Sequence, residues 1–321
     1  MTDPHPVPPA PPPDPAAAPE SMVVTMDTGE RIHELDWGAP AAPPVPALPP
    51  LVLIHGIAQT AWSWAPVARR LAGLARVVAI DLRGHGLSDA PRTGYDPSSL
   101  AYDVLTVVSA NGWGADVGGP RVVVAGHGAG GMIAATAAAL APRTVAGTAL
   151  LDGGWESQSD ATGMNPAELL GALAEPPEVL RTMDAWLADR RGYDPSTWDD
   201  DQETAARAQV DQKYAGHVAL RARTPALKAL LEGLDAYRPD EALGNVLGPL
   251  LVAIAESGGA DDDTARERAL ALDEVERLRR ANGGDPTRVV RFPGVGHNLM
   301  RYRPDAVAAE LLALLRRAAA P

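Results

Sequence analysis

Four glycine-rich loops along this 321-residue chain carry the side chains best suited to acid–base chemistry. His55-Gly56-Ile57 directly follows a short apolar run. Asp81-Leu82-Arg83-Gly84-His85-Gly86-Leu87-Ser88-Asp89 is polar and glycine-rich. Ala125-Gly126-His127-Gly128-Ala129-Gly130-Gly131 reads as strand, sharp turn and helix. Gly294-Val295-Gly296-His297-Asn298 presents a histidine on a flexible loop before the last helix. Histidine titrates nearest to neutral pH of all side chains, so His297 is a candidate to take and return a proton. The chain has no cysteine, which excludes disulfides, thiolate metal sites and a thiol nucleophile. The glycines after Ala125 lack the Lys and Ser/Thr of a phosphate-binding loop, and no metal or cofactor is expected.

Six apolar runs place these loops. Leu51–Ile54, Val77–Ile80, Arg121–Ala125, Val145–Leu151, Pro249–Ala255 and Thr287–Phe292 are short and almost wholly apolar, the pattern of strands covered on both faces by helices in a parallel sheet. Helical spacing appears over Trp64–Ala72, Ser98–Asn111, Ala129–Leu140, Thr264–Ala281 and Pro304–Ala318. Ser21–Thr25 and Ile32–Trp37 flank the turn signal Asp27-Thr28-Gly29, so a hairpin opens the fold. The alternation predicts an α/β domain with a doubly wound, mostly parallel sheet, in which sites form at the carboxyl ends of the strands. Between Gly153 and Gly248 the alternation breaks. Helical patterns such as Glu178–Asp189 and Ala205–Tyr214 predict an all-helical insertion there.

The expected division is therefore a core over residues 21–152 and 249–321 and a helical lid over residues 153–248. Residues 1–20 are rich in proline, from Pro4 to Pro19, and read as an extended, disordered leader, with a partner-docking polyproline motif as the alternative. They have neither the basic start nor the apolar stretch of a secretory signal. The longest largely apolar run, Met132–Ala141, falls far short of the roughly 18 residues of a membrane span. Cytoplasmic location is the expectation, without a membrane partner. With 28 basic against 41 acidic residues and a net charge of −13, a nucleic-acid partner is not expected either.

The order and spacing of the four loops make the chain resemble the α/β-hydrolase superfamily, in its lidded, actinobacterial-type form, over roughly Met22 to Arg317. The resemblance implies that His55-Gly56-Ile57 is the oxyanion loop, that Asp81–Asp89 is a structural loop and that His297 is the catalytic histidine. It also implies that the amides of Ile57 and Ala129 form the oxyanion hole and that His127 points away from the site. The family's nucleophile elbow reads small-x-nucleophile-x-small; here it reads Gly126-His127-Gly128-Ala129-Gly130, so Gly128 occupies the nucleophile position. Glycine fits the strained backbone of such an elbow but carries no reacting atom. The acid that would orient His297 is open among Glu256, at the end of Pro249–Ala255, the run Asp261 to Asp263, and Asp152, at the end of Val145–Leu151. Asp261 to Asp263 follow on a longer loop, where Asp262 and Asp263 read as the solvated start of the next helix.

A base facing an oxyanion hole, with no nucleophile, suits reactions through an enolate or phenolate. The expected function is a non-hydrolytic enzyme acting on a hydrophobic, carbonyl-bearing specialised metabolite, such as an aromatic polyketide, by carbon–carbon bond formation, cyclisation or isomerisation. Gly56, Trp62, Trp64, Trp155 and Trp186 are the candidate substrate-binding residues; for the tryptophans, ordinary core and lid packing is the alternative. Two other functions remain open: a catalytically dead small-molecule binder, or a serine esterase inactivated by a Ser→Gly change at position 128.

Overall fold

The computed structural model describes residues 18–173, 181–212, 216–257 and 262–320, without the side chains of residues 262–264. In chain order, β1 (Glu20–Thr25) and β2 (Arg31–Asp36) form the opening hairpin. β3 (Leu51–Ile54), α1 (Ala65–Leu71), β4 (Val77–Ile80), α2 (Pro97–Ala110), β5 (Val122–His127), α3 (Ala129–Leu140) and β6 (Val145–Leu151) follow. The segment inserted next holds α4 (Gln158–Thr162), α5 (Pro166–Leu173), β7 (Arg181–Thr182), α6 (Met183–Gly192), α7 (Asp200–Ala208), β8 (Val210–Gln212), β9 (His217–Leu220), α8 (Thr224–Leu234) and α9 (Pro239–Gly244). The chain closes with β10 (Leu250–Glu256), α10 (Asp262–Ala281), β11 (Arg288–Pro293), α11 (Leu299–Tyr302) and α12 (Pro304–Ala318).

The main sheet runs β1-β2-β4-β3-β5-β6-β10-β11, parallel except for the hairpin strands. Its apolar strands are explained by two cores, one on each face. Val52, Ile54, Val78, Ile80, Val122 and Val124 pack toward α2 and α3. Leu51, Leu53, Val77, Ala79, Val123 and Ala125 pack toward α1 and α12. Alternate residues point to opposite faces of a strand, so a strand buried on both sides has no polar positions.

The register sets the site. Ile54 lies opposite Gly126, Gly126 opposite Leu150, and Leu151 opposite Ala253. The loops that leave β3, β5, β6 and β10 therefore emerge side by side at one edge of the sheet.

The inserted segment and the start of the chain depart from expectation. The inserted segment is not all helical: β7, β9 and β8 form a three-stranded antiparallel sheet. The helix expected over Ala205–Tyr214 ends at Ala208, because Val210 pairs with Leu220 and buries its β-branched side chain with Val218, Trp186, Leu187 and Ala206. Tyr214 lies outside the described residues. Of the helix expected over Glu178–Asp189, residues 178–180 lie outside the described residues; Arg181 and Thr182 form β7 and the helix runs from Met183, where the Thr182 side chain caps it by accepting from the Ala185 amide. Strands this short leave no periodicity to read. Glu20, expected in the leader, already belongs to β1; residues 1–17 lie outside the described residues.

Candidate active site

The turn between β5 and α3 is built by contact distance. A Cβ on Gly126 would run into the Gly130 carbonyl, and one on Gly130 into the Ile54 carbonyl, so helix and strand approach too closely for any side chain there. Gly128, at the apex, has φ +54 and ψ −121, a left-handed conformation costly for other residues. Its amide donates to the Leu151 carbonyl at 2.9 Å, which ties the apex to β6. An ideal Cβ on Gly128 would stand 3.0 Å from His297 Nε2 and 4.0 Å from Gly56 Cα. The elbow, the His55–Ile57 loop and the His297 loop thus meet at one point. His297 already occupies ground that a side chain at position 128 would need.

His297 is oriented by Asp152. Its Nδ1 donates to Asp152 Oδ2 at 2.7 Å, leaving Nε2 toward Gly128. The His297 side chain is 60% exposed and that of Asp152 only 7%. The second Asp152 oxygen accepts from the Ala255 amide at 3.0 Å and from Arg268 Nη2 at 3.1 Å. Burial pushes the Asp152 carboxyl up, but the His297 hydrogen bond and the charges of His297 and Arg268 outweigh it and hold the group below its ordinary range. Glu256, a second candidate acid, does not reach the histidine, and Asp261 lies outside the described residues. Glu256 is 41% exposed and pairs with Arg291 on β11 at 3.0 Å. Among the described residues only Asp152 (φ +48) and Ala58 (φ +59) are non-glycine residues with positive φ. One accepts from His297 and the other follows Ile57, so strained backbone collects where these loops meet.

The amides of the oxyanion loop are sorted by their partners. Gly56 N–H donates to Gln59 Oε1 at 3.0 Å and Ala58 N–H to His85 Nε2 at 3.2 Å. Among the described residues the Ile57 amide between them meets no acceptor, and neither does the Ala129 amide at the uncapped start of α3. Two free donors and a helix N-terminus beside one point suit a developing negative charge.

Supporting contacts lay beyond the sequence reading. His127 does not point away. Its Nε2 donates to the His297 carbonyl at 2.9 Å and its ring centroid lies 4.3 Å from that of His297. Burial, with the nearby His297, pushes His127 down to about 3, so it is a neutral donor that holds the loop. Gln59, whose Oε1 takes the Gly56 amide, packs its side chain 3.0 Å from His127 Nδ1. Asp81 secures the Asp81–Asp89 loop, accepting from the Ala61 amide at 2.7 Å, from the Leu87 amide at 2.9 Å and from His33 at 2.7 Å. Gln59, three residues beyond Gly56, was legible as a loop-closing polar residue; nothing in the sequence marks Arg268.

The four tryptophans do not form one wall. Trp64 is fully buried in the core beside α1 and α12, with the half-buried Trp62 packed against the same cluster. Trp186 belongs to the small cluster of the inserted segment, where its Nε1 donates to the Ala206 carbonyl at 2.8 Å. Trp155 alone sits next to the acid, buried beneath Arg268 at 4.9 Å from the ring centre. These indoles are therefore packing residues of three separate clusters.

Residues 51–310 match the model of a family described as the alpha/beta hydrolase family. A 2-(acetamidomethylene)succinate hydrolase from Mesorhizobium japonicum is 27% identical over 265 residues, 80% of this chain and 84% of that protein. A soluble epoxide hydrolase from a Corynebacterium species is 42% identical over 109 residues, 34% of this chain and 33% of that protein. The solved structure of E-2-(acetamidomethylene)succinate hydrolase superposes with a TM-score of 0.73 at 22% identity, over 93% of this chain and 99% of that one. No helix among the described residues is long and apolar enough to cross a membrane.

Proposed function

This chain belongs to the alpha/beta hydrolase family, and from that premise we propose that it is an enzyme that works at a carbonyl compound by moving a proton, without an acyl-enzyme. The observation that carries the reading is the pairing at the apex: His297 Nε2 stands 3.0 Å from where a Gly128 Cβ would be, while Asp152 holds Nδ1. Gly128 is the position where the family's elbow presents its nucleophile. Removing such a nucleophile from a triad hydrolase costs about 10⁶ in turnover, so a covalent route is closed. Proton transfer and anion stabilisation remain, each worth on the order of 10²–10³ or more.

In this reading Nε2 takes a proton from the carbon beside the carbonyl, and Asp152 stabilises the imidazolium. The Ile57 and Ala129 amides hold the enolate oxygen. Return of the proton to another face or carbon isomerises the substrate; attack of the enolate carbon on a second carbonyl breaks that carbonyl's π bond, forms a carbon–carbon bond that closes a ring, and leaves an alkoxide that takes the proton back from Nε2. The substrate class is a hydrophobic specialised metabolite of the polyketide type, enclosed by a lid over residues 153–248 above a core over 21–152 and 249–321. Incubating the enzyme in D₂O with an aryl β-diketone tests the step. Deuterium entering the carbon between the carbonyls faster than in enzyme-free buffer, by an excess that His297→Ala abolishes, supports it; an excess that persists in His297→Ala overturns it.

A second reading is favoured by the names of the relatives, which are hydrolases. A water beside Gly128 would give its proton to Nε2 and its oxygen to an acyl carbon, and the imidazolium would protonate the leaving group. Ester or amide cleavage without a burst, with ¹⁸O from water in the acid released, would separate this from enolate chemistry.

A further inference from the structure

Asp152 is held by more than the histidine. Arg268, on α10, donates from Nη2 to Asp152 Oδ1 at 3.1 Å and from Nε to Glu156 Oε2 at 3.1 Å, and lies over the Trp155 ring at 4.9 Å. Asp152 and Glu156 are four residues apart, with side chains only 7% and 4% exposed. Two buried carboxylates this close repel, and a cation shared between them offsets that repulsion. Arg268 is the cation that meets both, clamped in place by the indole beneath it.

We propose that Arg268 is the positioning residue of the Asp152–His297 pair: it fixes the carboxylate that orients the ring, and its charge, divided between Asp152 and Glu156, sets how tightly His297 holds a proton. It touches neither the apex at Gly128 nor the Nε2 that faces it. The charged and titratable groups around His297 are few. His127 lies against it, its ring tilted by 43°, from the end of β5, and Asp152 meets it just beyond β6. Arg268 stands behind Asp152 on α10, and Glu156 behind Arg268, with Asp160 of α4 acting on Glu156. His127 is neutral, so the balance lies with one cation and two carboxylates.

The sign follows from Coulomb's law. Removing the Arg268 charge leaves Asp152 freer to stabilise the imidazolium and raises the His297 titration. Removing the Glu156 charge gives Arg268 wholly to Asp152 and lowers it.

The inference rests on the reading of His297 as the base, yet its test needs no substrate. The ring protons of His297 are titrated by NMR in wild type, Arg268→Met, Arg268→Lys and Glu156→Gln. Expected are an upward move of about half a pH unit or more in Arg268→Met, a downward move in Glu156→Gln, and a near wild-type midpoint in Arg268→Lys. A merely structural role predicts loss of fold without opposite displacements. If Arg268→Met does not fold, Glu156→Gln and Arg268→Lys still decide. Midpoints that coincide in all folded variants, or that move in one direction for both charge removals, overturn the proposal. Failure of the base reading would appear separately, as full activity in His297→Ala.

Discussion

His297 Nδ1 lies 2.7 Å from Asp152 Oδ2, whereas Glu256, one strand further along the sheet, is tied to Arg291 at 3.0 Å. The two carboxylates end adjacent strands, and the histidine selects the one after β6. Asp152→Asn is therefore expected to lower kcat about 10⁴-fold, since the amide no longer holds the ring in its working tautomer. Asn tolerates the left-handed backbone at this position, so the variant isolates the charge. Glu256→Gln removes only an exposed ion pair and should leave kcat within about twofold. Steady-state rates of the two variants side by side check this.

Gly128→Ser places a Cβ 3.0 Å from His297 Nε2 on a backbone with φ +54. The ring must retreat by a few tenths of an ångström, and the backbone strain is of order 1–3 kcal/mol. The variant should lose the proton-transfer activity at least ~10-fold, by the change in Nε2 placement. It should also gain little hydrolysis of p-nitrophenyl esters. Vigorous ester turnover by the variant would identify the wild type as an esterase deprived of its serine.

Gly126→Ala probes the elbow itself. The new Cβ meets the Gly130 carbonyl inside a strand–helix contact, so overpacking of about 2 kcal/mol or more is expected, read as a lower midpoint in urea denaturation. A midpoint equal to wild type would mean that helix and strand are less tightly apposed than described.

Acid should weaken the fold through its buried histidines. Burial pushes His127 and His85 down to about 3, below the ordinary value near 6.5 of the unfolded chain. Between those limits the unfolded state binds more protons, so the stability these groups confer is complete above about pH 6.5 and declines as pH falls toward 3. Each contributes a slope of about 1.4 kcal/mol per pH unit. The unfolding free energy measured from pH 7 to 4 should fall less steeply, by about one proton, in His127→Gln, which keeps a donor for the His297 carbonyl. An unchanged slope would place a charged His127 in the folded protein.

The strands and helices of the core were legible because their signals are local. Apolar runs such as Leu51–Ile54 and Val77–Ile80 announce burial on both faces, and Pro304–Ala318 shows its helix by spacing alone. Gly128 and His297 were legible because their loops carry their own punctuation of glycines. The acid was not, because Asp152 and Glu256 both end strands and only the register between those strands decides which one meets the histidine. Arg268 lay further out of reach, since its contact with Asp152 joins positions 116 residues apart. The placement of the tryptophans was not legible, because a large aromatic residue reads alike whether it fills a core or faces a ligand.

The account depends on the absence of any group at the apex able to form a covalent acyl adduct. Intact-protein mass spectrometry after exposure to a fluorophosphonate probe tests this directly. The wild-type chain is expected to keep its mass unchanged. A stoichiometric adduct that peptide mapping assigns to a residue within reach of His297 would contradict the account.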